Sequence, residues 1–130
     1  MEISVKTNRG QEFIELNSIL EEELARSGVK DGTMTVFIPH TTAGVTINEN
    51  ADPDVVRDML NSFNKSFPVE DNYLHMEGNS HAHIKASLMG SSVNLIIKDG
   101  RLNLGIWQGV YFCEFDGPRL RKVLVKIIEG

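Results

Sequence analysis

The chain alternates between two hydrophobic rhythms. "ISVKT" near the start puts apolar residues at every second position, the rhythm of a half-buried strand. Asn8-Arg9-Gly10 reads as a turn and "EFIEL" as the returning strand of a hairpin. "SILEEELARS" then follows a helical period, with Asn17 or Ser18 as cap and Gly28 as the stop. "TMTVFIP", rich in β-branched residues, predicts a strand reaching Pro39 and His40, and "VTIN" a short one after "HTTAG". Asp52-Pro53 starts a helix, because Asp caps well and Pro suits the first turn. Val55, Val56, Met59, Leu60 and Phe63 then recur at helical spacing. Residues 64–73 read as a loop, and Ser80 begins a third helix ending near Gly90. "SVNLIIKDGRLNLG" is a hairpin turning at Asp99-Gly100. "GVYFCEFD" and "RKVLVKII" are two more strands, joined around Gly117-Pro118.

Seven to eight strands and about three helices predict an α+β fold, with mostly antiparallel strands packed as a β-sandwich. At 130 residues the chain fits a single domain, residues 1–130, able to bury a core without disulfide staples. Its net charge of −5 argues against nucleic acid or an anionic membrane as a partner held by bulk charge. It leaves room for a small phosphorylated ligand held by a few local cations. No apolar run approaches a membrane span, the N-terminus has no apolar signal region, and the one cysteine, Cys113, reads as a buried hydrophobe. A soluble, cytoplasmic protein is the expectation.

Three stretches resist a purely structural explanation. In "PHTTAG", His40 follows an apolar strand, Thr41 and Thr42 offer hydroxyls, and Gly44 permits close backbone approach. Asn48, Glu49 and Asp52 come just before a helix, where Asp52 already has a capping job. "HMEGNSHAHIK" holds three of the four histidines, His75, His81 and His83, with Glu77 among them and Lys85 beyond. Imidazoles beside a carboxylate suit a metal, but the spacing fits no standard zinc pattern, so metal site and solvated loop are equally open readings. On a helix, residues two apart point apart, which separates His81 from His83. In the third stretch, Trp107 reads as core, while Gln108, Glu114, Asp116 and Arg119 supply polar groups at strand ends.

The segments "FIPHTTAGVTINENADP", "HMEGNSHAHIKASLMGSS" and "DGRLNLGIWQGVYFCEFDGPR" together resemble the YjbQ-like family, also called UPF0047. The resemblance implies an α+β β-sandwich assembled as a homotrimer. It also implies a secondary thiamine-phosphate synthase activity, joining a pyrimidine diphosphate to a thiazole phosphate with release of pyrophosphate. Whether that is the main or a side activity stays open. Residues matching His40, His75 and His83 look like a metal site for a divalent ion, zinc by the ligand type, with magnesium the alternative for a diphosphate substrate. Ile106 and His81 depart from the family pattern, which marks His81 as incidental. On this reading Glu77 or Glu114 handles protons, and Thr41, Thr42, Asn48, Lys85, Gln108, Asp116 and Arg119 bind the substrate and its phosphates. Two other classes stay in play: a metal-dependent hydrolase of a small metabolite, and a non-enzymatic metal- or ligand-binding trimer. Apolar surface in "VYFCEF" and "VLVKII" beyond the needs of one small sandwich is the physical support for the trimer.

Overall fold

The computed structural model describes all residues, 1–130. Eight strands and three helices run in the order β1 (Glu2–Lys6), β2 (Glu12–Glu15), α1 (Asn17–Ser27), β3 (Gly32–Phe37), β4 (Ala43–Glu49), α2 (Pro53–Ser66), α3 (Ser80–Met89), β5 (Ser92–Lys98), β6 (Arg101–Leu102), β7 (Gln108–Glu114) and β8 (Leu120–Glu129). They form a five-stranded sheet, β1-β8-β3-β5-β6, and a three-stranded sheet, β2-β7-β4, every pairing antiparallel. The expected α+β class, strand count and helix count hold. No helix is long and apolar enough to cross a membrane.

The local signals work where their chemistry is local. Asp52 accepts the Asp54 N–H at 2.9 Å and caps α2. Asp99 and Gly100 both take positive φ, 52° and 76°, as a tight two-residue hairpin turn demands. Gly28 ends α1 in the left-handed conformation. Neither Asn17 nor Ser18 caps α1, however: the cap position falls on Leu16, and Asn17 Oδ1 instead accepts the Val110 N–H of β7 at 2.8 Å. α2 runs to Ser66, into the stretch read as loop.

The expected β1–β2 hairpin does not form. β1 pairs with β8 in one sheet and β2 with β7 in the other. The connection from β7 to β8 crosses between the same two sheets, and the two crossings lie side by side. The Gly117 N–H donates to Gly10 O at 2.9 Å and the Thr7 N–H to Arg119 O at 2.9 Å. A Cβ on Gly117 would press on the Arg9 carbonyl, Thr7 Oγ1 and Glu114 Cγ, so only glycine lets the crossings meet.

The core has two compartments. Leu20, Leu24, Met34, Val36, Val45, Ile97, Val110, Phe112 and Val123 fill the space between the sheets. Tyr111, Cys113 and Phe115 join Ala82 and Ala86 of α3, with Val56, Leu60 and Phe63 of α2 packed against them. Alternate residues of β7 therefore enter opposite compartments, which explains its unbroken apolar run. Both faces of "VYFCEF" are consumed inside the chain, so that segment lends no support to an oligomer. In "VLVKII", Val123 and Val125 are buried while Ile128 is exposed, as is Ile96; both lie opposite Thr33 on the five-stranded sheet. Cys113 is fully buried, and its surroundings push the thiol well above its usual pKa.

Candidate functional site

The chain leaves β3 at Phe37, and residues 38–42 turn toward β4 beside the start of β8. There the His40 ring replaces a strand partner: the Lys122 N–H donates to His40 Nε2 at 2.9 Å. A donor at Nε2 needs the lone pair there, so the neutral ring carries its hydrogen on Nδ1. Burial, then the nearby Arg121 guanidinium, hold the His40 pKa below the usual histidine value. His40 is thus a neutral ring offering an Nδ1–H.

A cleft of about 670 Å³ opens beside it, and Thr41, Thr42, His75, Glu77, Asn79, His83, Arg119 and Arg121 line it with His40. His75, from the loop before α3, and His83, from the first turn of α3, meet edge to face with ring centroids 5.5 Å apart. Glu77 is exposed on the same loop. Seven residues assigned to the site from sequence, His40, Thr41, Thr42, His75, Glu77, His83 and Arg119, come together there.

The others do not reach it. Lys85 is fully buried on the far side of α3, where Nζ lies 2.5 Å from Asn64 Oδ1, 2.8 Å from His81 Nδ1 and 3.4 Å from Gln11 Oε1. It ties α3 to α2 and to the start of β2, and burial lowers its pKa to about 8. His81, its partner one turn back, is buried and has a structural task; it is not incidental. Asn48 donates to Met59 Sδ at 3.7 Å and accepts the Glu49 N–H at 2.7 Å, and Gln108 Oε1 accepts the Gly105 N–H at 2.8 Å. Trp107, read as core, is 60% exposed on the turn before β7. Gly44 serves packing: a Cβ there would lie 2.7 Å from Gly90 O at the end of α3.

Glu114 is sealed behind the cleft. It accepts from Thr7 Oγ1 at 2.8 Å, from Arg121 Nε at 2.9 Å, from Arg121 Nη2 and from the Asp116 N–H at 3.1 Å. Burial pushes its carboxyl up, but the Arg121, Asp116 and Thr7 hydrogen bonds outweigh that and hold it below the usual carboxylate pKa. A fully engaged carboxylate is a poor proton carrier, so Glu114 balances Arg121. Asp116 holds Arg119 from behind, through Nη2 at 2.8 Å, and accepts the Asn79 amide at 2.8 Å. Sequence reading missed Arg121 and Asn79. Arg121 shares strand parity with Val123 and Val125, so an arginine on the inward face of β8 was the available signal.

The three imidazoles do not form a metal site as placed. No three His, Cys, Asp or Glu side chains are grouped to hold an ion, and the lone pair at His40 Nε2 is taken by Lys122. Only His75 and His83 face one another.

The sequence profile described as "UPF0047 protein YjbQ-like" matches residues 1–130. The chain belongs to this family. A UPF0047 protein of Methanocaldococcus jannaschii is 51% identical over 124 residues, covering 95% of this chain and 90% of that protein. The UPF0047 protein YugU of Bacillus subtilis is 48% identical over 127 residues, covering 97% and 96%. Among solved structures, an uncharacterized YjbQ/UPF0047 protein of Clostridium acetobutylicum superposes with a TM-score of 0.96 at 60% identity, covering 98% of this chain and 99% of that one. A hypothetical protein of Aeropyrum pernix reaches 0.94 at 32% identity, covering 100% and 98%. The two-sheet frame of the UPF0047 family therefore persists where two thirds of the residues differ.

Proposed function

We propose that this UPF0047 protein is a transferase acting on a small phosphorylated metabolite in the His40–Arg119–Arg121 cleft, of the secondary thiamine-phosphate synthase type. The observation that carries the reading is the lining: two arginines, two threonine hydroxyls and three imidazoles around one opening. In such a reaction a thiazole nitrogen attacks the carbon bearing the diphosphate, the C–O bond breaks, and pyrophosphate leaves with the bonding pair. The nitrogen attacks with its own lone pair, so no base has to remove a proton from it. What the protein must supply is orientation and stabilisation of charge on the departing oxygens. Arg119, Arg121, the Thr41 hydroxyl and the His40 Nδ1–H are donors suited to that task. Glu77, exposed beside His75, is the group left to exchange protons with the pyrimidine.

The facing pair of His75 and His83 favours a second reading, in which these two rings bind a divalent ion and the protein is a hydrolase of a phosphorylated metabolite. Product analysis decides between them. Incubation with pyrimidine diphosphate and thiazole phosphate yields thiamine phosphate and pyrophosphate on the first reading, and only cleaved starting material on the second. If neither substrate changes, with or without zinc or magnesium, the protein is a binding module and both readings fail. A homotrimer is proposed alongside, on the family resemblance; light scattering that returns a mass near 14.5 kDa at micromolar concentration would contradict it.

A further inference from the structure

Arg119 and Arg121 use their nitrogens in the same way. Each spends Nε and Nη2 on an acidic residue: Arg119 on the Asp116 carbonyl and carboxylate, both at 2.8 Å, and Arg121 on both oxygens of Glu114. Arg121 Nη2 also donates to Thr42 Oγ1 at 2.9 Å. In both guanidinium groups Nη1 has no protein partner. Arg119 stands just before β8 and Arg121 is its second residue, and both line the cleft.

The difference between them is burial. Arg121 is 3% exposed, and its charge is matched by a carboxylate that accepts four hydrogen bonds. Burying a guanidinium is costly, and the clamp on Nε and Nη2 offsets that cost only in part. Nη1 is not a buried atom left without a partner, so it opens to solvent at the cleft. A packed apolar pair of similar volume would serve stability as well. A buried guanidinium clamped through Nε and Nη2, with Nη1 alone left open toward a cleft, is arranged to receive an acceptor that comes from outside the chain. Clamping also removes the rotamer freedom a ligand would otherwise have to freeze.

We propose that Nη1 of Arg121, joined by Nη1 of Arg119, grips one phosphoryl group of the ligand, with buried Arg121 as the anchor and the more exposed Arg119, held by Asp116, as its second donor. Glu114 and Asp116 are positioning residues that aim the two guanidinium groups. Because each arginine already has its own carboxylate, the pair contributes directed N–H donors and little net positive charge. It therefore suits a single terminal phosphoryl group, and it offers nothing extra to the additional charge of a diphosphate. This assignment rests on the reading that the cleft takes a phosphorylated ligand, though not on what is done to it.

Calorimetric titration with inorganic phosphate tests the assignment. The wild-type protein binds phosphate, and Arg121→Lys, which keeps the charge but loses the planar fork, binds about tenfold more weakly or worse. Without divalent cations, pyrophosphate binds wild type no more tightly than phosphate does. Should Arg121→Lys fail to fold, nitrogen-detected NMR of the wild-type guanidinium groups gives the answer: the slowly exchanging Arg121 signals move as phosphate is added. Undiminished phosphate binding by folded Arg121→Lys, or unmoved Arg121 signals in wild type, would overturn the assignment. So would wild type that ignores millimolar phosphate, or that binds pyrophosphate far more tightly in the absence of metal. Phosphate binding lost in Arg121→Lys with no synthase product from wild type would leave the anchor standing and remove the transferase reading. Synthase turnover with phosphate binding indifferent to Arg121 would do the reverse.

Discussion

Helix α3 carries two histidines two residues apart, and they have opposite fates. His83 opens onto the cleft, facing His75 and lying near Asn79. His81 turns inward, where its Nδ1 meets Lys85 Nζ in a polar knot completed by the half-buried Asn64 and Gln11. Both faces are polar, and both contain residues that a list of chemical groups would call catalytic. What separates them is what their polar atoms already hold. On the inner face, Lys85 Nζ reaches two amide oxygens and an imidazole nitrogen within the chain. On the outer face, the Nη1 atoms of two arginines hold nothing from the protein. A polar cluster whose bonds close on itself is architecture; one that leaves aimed donors free is a site for something else.

The largest effect should come from the inner face. Lys85→Ala empties a packed position and strips partners from Asn64 and His81, so urea denaturation should show a loss of about 2–4 kcal/mol. Phosphate affinity of the folded fraction should be unchanged. A variant of normal stability that no longer binds phosphate would reverse the assignment of the two faces.

The next contrast is between the histidines themselves. His81→Ala should cost about 1–2 kcal/mol, the price of leaving a buried donor without its acceptor. His83→Ala should stay within about 0.5 kcal/mol of wild type and lose turnover. Equal stability losses by chemical denaturation would erase the distinction.

A subtler effect is pH. The folded Lys85 pKa lies near 8, below its ordinary value of 10.5, because the site is buried. Between those values the unfolded chain binds more protons than the folded one. Stability should therefore rise from pH 8 to pH 10.5, the contribution being complete above 10.5 and lost as pH falls through 8. Lys85→Met should flatten that slope in denaturation series across the window. A steeper slope in the mutant would show that another group is responsible.

Much of this was readable from the sequence, for identifiable reasons. Asp52-Pro53, Asp99-Gly100 and Gly28 act through neighbours in the chain, and each forms the feature its chemistry predicts. His40, His75 and His83 stood out through the signature segments that carry them, and the cleft collects all three; Arg119 lines it too, and the ion pair with Asp116 that its sequence position suggested also forms. The sheet partition was not readable. Asn8-Arg9-Gly10 has a hairpin's turn residues, but the true partner of β1 lies more than a hundred residues away. Lys85 was misplaced because a ten-residue helix packed on one side and open on the other presents charged residues in both directions. Glu114 was taken for a proton carrier because nothing in "YFCEFD" shows that an arginine seven residues on would clamp it.

The smallest effect should be at residues outside both faces. Gln108→Ala and Asn48→Ala should change stability and phosphate affinity little, within about 0.5 kcal/mol in denaturation, since neither side chain reaches the cleft or the knot. Phosphate affinity lost in either would extend the site well beyond the opening described.

The most direct measurement is an amide NMR titration of the wild-type protein with inorganic phosphate. The account predicts shifts that cluster at residues 40–42, at Asn79 and His83, and at residues 119–121, with Gln11, Asn64 and Lys85 left in place. Shifts centred on Gln11, Asn64 and Lys85, or no shifts at any residue, would contradict it.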